Sequence, residues 1–209
     1  HMFLDGLEDA YDKGKLMGVF AENTAELLQL TRDMQDNYAI DSLERAIKAT
    51  KDGAFENEIQ PVKLSLRGEQ KTVLADEQPR NAKIDKIPSL KPAFKDGGTV
   101  TAANSSSISD GAAAMVITKL SIAEQLGVTP LATIVAHVTH AQEPEWFTTA
   151  PIGAIKKVLE KTNWDKNDVD LYEINEAFSV VVLAALKELD LNREKVNIHG
   201  GACAIGHPI

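Results

Sequence analysis

Apolar positions recur with helical spacing early in the chain and alternate with polar ones further on. From Gly18 to Leu30, the residues Ala21, Ala25, Leu27 and Leu28 fall roughly on one side of a helix. Thr31 is suited to cap a second helix, with Asp33 in its first turn. Within it Ala39, Leu43, Ala46 and Ile47 stand at i, i+4, i+7 and i+8, a stripe that faces a core, and Gly53 marks the stop. The period then changes. Val62, Leu64 and Leu66 alternate with Lys63 and Ser65, as in a half-buried strand, and Gly68 turns the chain into a second strand near 72–75. Residues 76–97 are polar, carry Pro79, Pro88 and Pro92, and predict a long irregular surface excursion.

Beyond about residue 106, short apolar runs alternate with helical segments. Met115 to Thr118 is one run, followed by a helix near Ser121 to Leu126 that Gly127 stops. Leu131 to Val138 is a second run. Pro151 then sits where a first helical turn tolerates it, and Ile152, Ile155, Val158 and Leu159 make one helical face. Val169 to Ile174 is a third run, followed by a helix through Phe178, Val181, Ala184 and Leu186, and Val196 to Ile198 is a fourth. Strand-length runs separated by helices of this size predict an α/β layer fold.

Composition narrows the function classes. A chain of 209 residues suffices for one large domain or two small ones. Its 22 basic and 31 acidic side chains give a net charge of −9, which argues against a general nucleic-acid binder. No run nears the roughly 18 apolar residues of a membrane span, and no signal-peptide pattern opens the chain. Cys203 is the single cysteine, which excludes an internal disulfide, a cysteine-rich zinc site and any mechanism needing two thiols from this chain. His137 and His140 would point to opposite faces of a strand, so no metal pair is expected. The excursion carries Arg80, Lys83, Lys86, Lys91 and Lys95 against Asp85 and Asp96, a local excess of positive charge that is either an anion site or ordinary surface lysines. His1-Met2 looks like a cloning scar, and the Gly-rich end at 200–209 has no element after it, so a fragment cut at both ends is expected.

Candidate chemistry sits at two predicted strand ends, where open α/β sheets bind ligands. Asn175-Glu176-Ala177-Phe178 follows one run, and Gly200 to Pro208 follows another. Asn175 and His207 lie about one strand–helix unit apart and can project into one cleft. A histidine and an amide there suit acyl chemistry: the imidazole moves a proton or donates to an oxyanion, and the amide holds a water or donates directly. The plainer alternatives are a helix N-cap for Asn175 and a turn residue for His207. The spacing of Gly200, Gly201 and Gly206 is wrong for G-x-G-x-x-G, which argues against a dinucleotide-binding oxidoreductase.

The strings NEAF at 175–178 and GGACAIGHP at 200–208 closely resemble two signatures of the thiolase family, in order and spacing. The stretch from Gly98 to Ala114 (GTVTAANSSSISDGAAA) and Met17 to Asn23 (MGVFAEN), followed by a helical segment with Arg32 and Gln35-Asp36, resemble further family segments. The resemblance runs from about residue 3 to 209 and is strongest to members acting on acetoacetyl-CoA. It implies a partial thiolase fold, α/β in class. Residues 1–106 would be the inserted loop domain that covers coenzyme A, 107–128 the end of the N-terminal half, and 129–209 the truncated start of the C-terminal half.

Carried over by resemblance, His207 is the histidine that deprotonates a nucleophilic cysteine and lines an oxyanion hole, and Asn175 positions that hole's water. Ala177 and Phe178 line the pantetheine channel, with Ser106, Ala102 and Ile108. Phe94 lies near the adenine end, and Met17 and Phe147 line the acyl pocket and tunnel. Arg80 becomes a CoA contact and Lys86 a weaker one. The family's two catalytic cysteines match nothing in this chain, and Cys203 occupies a slot for a small, buried apolar residue. Leu16 and His199 stand where members often have His and Asn. The resemblance thus implies an acetyl-CoA C-acetyltransferase, condensing two acetyl-CoA to acetoacetyl-CoA and CoA or running the reverse thiolysis. This chain alone would be inactive, or a non-catalytic CoA-binding or interaction fragment. Acyl-CoA, coenzyme A or acetyl-CoA, is the expected substrate, with no permanently bound cofactor and no metal. A homo-oligomer (dimer or tetramer) of the full-length protein, no nucleic-acid or membrane partner, and a cytoplasmic or mitochondrial-matrix location in fatty acid metabolism are also expected.

Overall fold

The computed structural model describes residues 2–66 and 68–209. Helix α1 spans Met17–Leu27 and α2 spans Arg32–Lys51. The Thr31 hydroxyl accepts from Met34 N at 3.2 Å, so the expected cap starts α2. A two-stranded antiparallel hairpin follows, β1 Val62–Leu66 and β2 Glu69–Val73. After it come α3 Glu77–Asn81, α4 Leu120–Leu126, α5 Ala150–Thr162, α6 Ser179–Leu189 and α7 Ala202–Ile205. Gly127 ends α4 in the left-handed conformation, and Pro151 opens α5.

Helix α6 is the centre of the molecule. Val180, Val181, Val182, Ala184 and Ala185 are all buried, so its first two turns are enclosed on nearly every side. Each buried valine contributes roughly 1.5–3 kcal/mol relative to exposure. Around it pack Ala21 and Ala25 of α1, Leu30, Tyr38 of α2, Val100, Ile174, Phe178 and Val196. A smaller cluster joins Leu43 and Ala46 of α2 to Ile87 and Ala204.

Several expectations are corrected. Leu27 and Ile47 belong to the expected core-facing stripes but are exposed, because the core lies along Phe20, Ala21 and Ala25 on α1 and along Tyr38, Ala39, Leu43 and Ala46 on α2. The hairpin is not half-buried: Val62 and Leu64 are exposed, and among the described residues β1 and β2 pack mainly on each other. Its second strand starts earlier than expected, at Glu69, which pairs with Leu66. The excursion at 76–97 is not irregular throughout but contains α3 and a 3-10 turn at Ile84–Ser89.

The four apolar runs of the second half form no strand ladder among the described residues. Tyr172 and Val196 make a single parallel bridge. The runs at 115–118 and 131–138 have no backbone–backbone bond among the described residues, and their side chains stand in solvent, Val116 at 96% and Leu131 at 104% exposure. Residue pattern alone does not make a strand; a neighbour must receive its N–H and C=O groups.

A buried carboxylate organises the stretch that begins at Gly98. Glu22 on α1 is 4% exposed and accepts from Thr99 N and Val100 N at 2.8 Å each, and from the Thr99 hydroxyl at 3.0 Å. Nearby Asn104 Nδ2 donates to Asp36 at 2.9 Å, and Thr101 N donates to Asn104 Oδ1 at 2.8 Å. Replacing Glu22 by Ala strands the buried Val100 N–H and the part-buried Thr99 N–H and is expected to lower unfolding free energy by about 3 kcal/mol in a urea titration. Glu26→Ala, which removes only the exposed Lys95–Glu26 pair, is expected to shift it by about 0.5 kcal/mol or less.

Candidate active site

The segment Ile174–Phe178 is extended and alternates. Ile174, Glu176 and Phe178 point into the protein, Asn175 is exposed and Ala177 is half-buried. Phe178 is the N-cap of α6, so Asn175 lies three residues before the cap and is not itself a helix cap. His207 follows α7 and forms a parallel bridge with Ile108. His207 N donates to Ser107 O at 2.8 Å, and Ser109 N donates to His207 O at 3.3 Å.

These two strand-like segments bring the predicted pair together. Asn175 Nδ2 lies 3.2 Å from His207 Nε2, and His207 Nδ1 lies 3.1 Å from Pro208 O. A carbonyl only accepts, so Nδ1 carries the ring proton, and the bare Nε2 accepts from the Asn175 amide; the hydrogen-bond partners assign this tautomer. The imidazole thus presents its basic nitrogen on the Asn175 side.

Seven more candidates adjoin the pair or the apolar cluster behind it. Ser106 donates twice to Ala177 O, from its N and its hydroxyl, each at 3.0 Å. Phe178 meets Phe94 edge to face at 6.0 Å, and Phe94 lies so close over Gly18 that a Cβ there would sit 2.3 Å from its ring. Met17 and Phe147 pack on the same cluster, Phe147 edge-on to Phe20 at 6.4 Å. Ile108 is the exposed bridge partner of His207.

Ala102 and Arg80 are placed differently. Ala102 lines a cleft of about 390 Å³ with Gln78, Lys83, Lys86 and Cys203 among its walls. Arg80 is exposed on α3, and among the described residues its guanidinium bonds only the Asp76 carbonyl, at 3.1 Å. Helix α3 is nonetheless tied to the site, because Gln78 Nε2 donates to the hydroxyls of Ser107 and of Ser109, the latter at 2.9 Å.

Sequence reasoning passed over the residue beneath the pair. Glu176 is fully buried. Its Oε1 accepts from Tyr38 OH at 2.7 Å and Asn197 Nδ2 at 2.8 Å. Its Oε2 accepts from Ser42 Oγ at 2.7 Å and Cys203 N at 3.1 Å. Ser42 Oγ in turn accepts from Gly201 N at 3.0 Å. A signal was present: alternation from Ile174 to Phe178 puts Glu176 on the buried face, where a carboxylate must be fully bonded. Gly200 has φ +75°, and a Cβ there would meet Ser42 O at 2.3 Å; a Cβ at Gly201 would meet Glu176 Cδ at 2.6 Å.

Cys203 is half-buried rather than enclosed as a residue, but its sulfur turns inward onto Glu176 O at 3.6 Å. Burial first, and then the Glu176 carboxylate, push this thiol well above the ordinary range. The same two causes in the same order raise the Tyr38 phenol. His140 bonds Gln142 at 3.0 Å and packs on Gly153, and His199 meets Phe55 edge to face. Among the described residues, no three His, Cys, Asp or Glu side chains are grouped to hold a metal.

Known proteins are similar to this chain in sequence and in fold. The model of the thiolase N-terminal domain matches residues 1–121, and that of the thiolase C-terminal domain matches 128–209. A probable acetyl-CoA acetyltransferase of Dictyostelium discoideum is 47% identical over 206 residues, 98% of this chain and 50% of that protein. The mitochondrial acetyl-CoA acetyltransferase of Homo sapiens is 47% identical over 207 residues, 98% of this chain and 48% of that protein. The crystal structure of the Bacillus anthracis acetyl-CoA acetyltransferase superposes with a TM-score of 0.94 at 41% identity, covering 100% of this chain and 53% of that one. An Ascaris suum thiolase in complex with coenzyme A gives 0.92 at 40%, covering 99% and 53%. The chain therefore spans about half the length of the relatives it matches. Its fold is the expected partial α/β thiolase fold, and with the two thiolase domain models together matching most of its length, this chain belongs to the thiolase family.

Proposed function

We propose that this chain is the CoA-covering and histidine-bearing part of an acetyl-CoA C-acetyltransferase, which joins two acetyl-CoA into acetoacetyl-CoA and CoA or runs the reverse thiolysis. The observation that carries this is the Asn175–His207 pair at 3.2 Å, set against the Ser106–Ala177 segment. An incoming thiol or thioester displaces the Asn175 amide from Nε2. The imidazole then takes a thiol proton, and as imidazolium donates to a thioester oxygen that gains charge. Asn175 holds a water or donates at the same oxygen. Such donors are worth a few kcal/mol to an oxyanion transition state. Residues 1–106 act as the loop domain over CoA, 107–128 as the end of the N-terminal half, and 129–209 as the start of the C-terminal half. Ser106, Ala177, Phe178, Ile108 and Ala102 line the pantetheine path, Met17 and Phe147 the acyl pocket and tunnel, Phe94 lies toward the adenine end, and Arg80 with Lys86 attracts the phosphates.

In the thiolase family the acyl-enzyme forms on a cysteine, which attacks as its thiolate. Cys203 is unsuited to that role, since a reactive cysteine has a lowered pKa and Cys203 has a raised one. The nucleophile of the complete enzyme therefore comes from outside these 209 residues, and the chain alone binds CoA without turning over.

Two results test this. Calorimetry with CoA on the pure chain is expected to show binding, weakened about three- to tenfold by Arg80→Ala, the loss of one charge-assisted contact. Acetoacetyl-CoA thiolysis by the same sample is expected to stay at background. Turnover above background, or no heat with CoA, contradicts the proposal. Separately, iodoacetamide at pH 8 is expected to label Cys203 in the urea-unfolded chain and to spare it in the native one. Cys203 and Tyr38 keep their protons to higher pH in the folded state than in the unfolded one. Their stabilising contribution is thus complete below about pH 9 and is lost as pH rises beyond it. A urea midpoint that holds steady between pH 8 and 10.5 contradicts that assignment.

A further inference from the structure

We infer that Glu176 is a positioning residue that sets the distance and tautomer of the Asn175–His207 pair; this rests on the pair's proposed role in acyl chemistry. The geometry is a lock between two segments. Glu176 is the next residue after Asn175 in an extended stretch, so fixing its carboxylate fixes the backbone from which Asn175 projects to the other face. The same carboxylate accepts Cys203 N, and its partner Ser42 Oγ accepts Gly201 N. Both N–H groups belong to the start of α7, the helix that ends two residues before His207. Glu176 thus binds the Asn175 segment directly to the element that delivers His207.

The lock admits only a carboxylate. Asn197 Oδ1 is held by Ile174 N at 2.8 Å, and its Nδ2 donates to Ile174 O at 2.8 Å, so the amide cannot flip to accept from position 176. Cys203 N is a donor by nature. One oxygen of Glu176 faces the Asn197 amide and the other faces Cys203 N. A glutamine at 176 therefore points its NH2 at a donor in either orientation. Tyr38 serves the same carboxylate from α2 and, among the described residues, makes no bond to the α7 segment. This separates two kinds of variant. Ser42→Ala removes a bond to Glu176 and releases Gly201 N, whereas Tyr38→Phe removes a bond to Glu176 and leaves α7 capped.

The test is long-range ¹H–¹⁵N correlation of the His207 imidazole in the 209-residue chain, which reports protonation at Nδ1 and Nε2 without CoA or turnover. In the wild type His207 is expected to be protonated at Nδ1. In Glu176→Gln and Ser42→Ala the Nε2-protonated share is expected to rise about fivefold, the change when one hydrogen bond of ordinary strength no longer holds the ring. In Tyr38→Phe it is expected to stay at the wild-type value, although urea titration shows a stability loss comparable to Ser42→Ala. If Glu176→Gln does not fold, the Ser42→Ala and Tyr38→Phe pair decides. A purely structural Glu176 predicts that these two variants act alike on His207, and that result overturns the inference. Unchanged His207 signals in all folded variants overturn it as well. Either failure leaves CoA binding as found, so it is distinguishable from a failure of the proposed function, in which CoA does not bind and the His207 signals still respond.

Discussion

Taking a carboxylate out of water costs several kcal/mol unless protein donors replace the lost water. Glu176 is removed from water completely, and four donors from three separate parts of the chain replace the solvent: Tyr38 and Ser42 from α2, Asn197 after the 3-10 turn at Arg193–Lys195, and Cys203 in α7. These segments can meet only if α2, the Ile174–Phe178 stretch and the Gly-rich loop converge. Glu22 does the same further along, collecting Thr99 and Val100 onto α1. Apolar burial around α6 supplies most of the stabilisation, but it is non-directional. The carboxylates give it a register.

That division has a functional consequence. The apolar cluster holds Phe178, Phe94, Met17 and Phe147, proposed walls of the CoA path from its adenine end to the acyl pocket. The polar lock holds the ends of that path, where a proton must be moved at a stated nitrogen. A ring that donates through Nδ1 to Pro208 O leaves Nε2 basic, and Asn175 keeps that nitrogen occupied until a ligand arrives. Preorganised groups of this kind act without reorganisation at the moment of reaction.

The helices were legible because their periods and caps are local: Thr31 caps α2, Gly127 stops α4 and Pro151 opens α5 as their positions indicate. The strands were not. The runs at 115–118 and 131–138 have strand composition but stand unpaired among the described residues, since pairing is a property of the neighbour and not of the run. Exposure of Leu27 and Ile47 shows the same limit for helical stripes, because which flank of a stripe is covered depends on distant elements. Of the site, the proximity of Asn175 and His207 was legible through the two motifs that carry them, not through the expected strands, which form no ladder among the described residues. The support beneath was not, because Tyr38, Ser42 and Asn197 lie far from Glu176 in sequence and carry no shared pattern. The buried parity of Glu176 was the one local clue.

The central claim is that the Asn175–His207 pair forms the reacting end of a CoA path. A crystal structure of the chain with CoA tests it most directly. The account predicts the CoA sulfur beside His207 Nε2 and Asn175, with the pantetheine running along Ser106 and Ala177 and the phosphates toward Arg80 and Lys86. CoA bound elsewhere on the protein, or bound with its sulfur turned away from an intact Asn175–His207 pair, would contradict it.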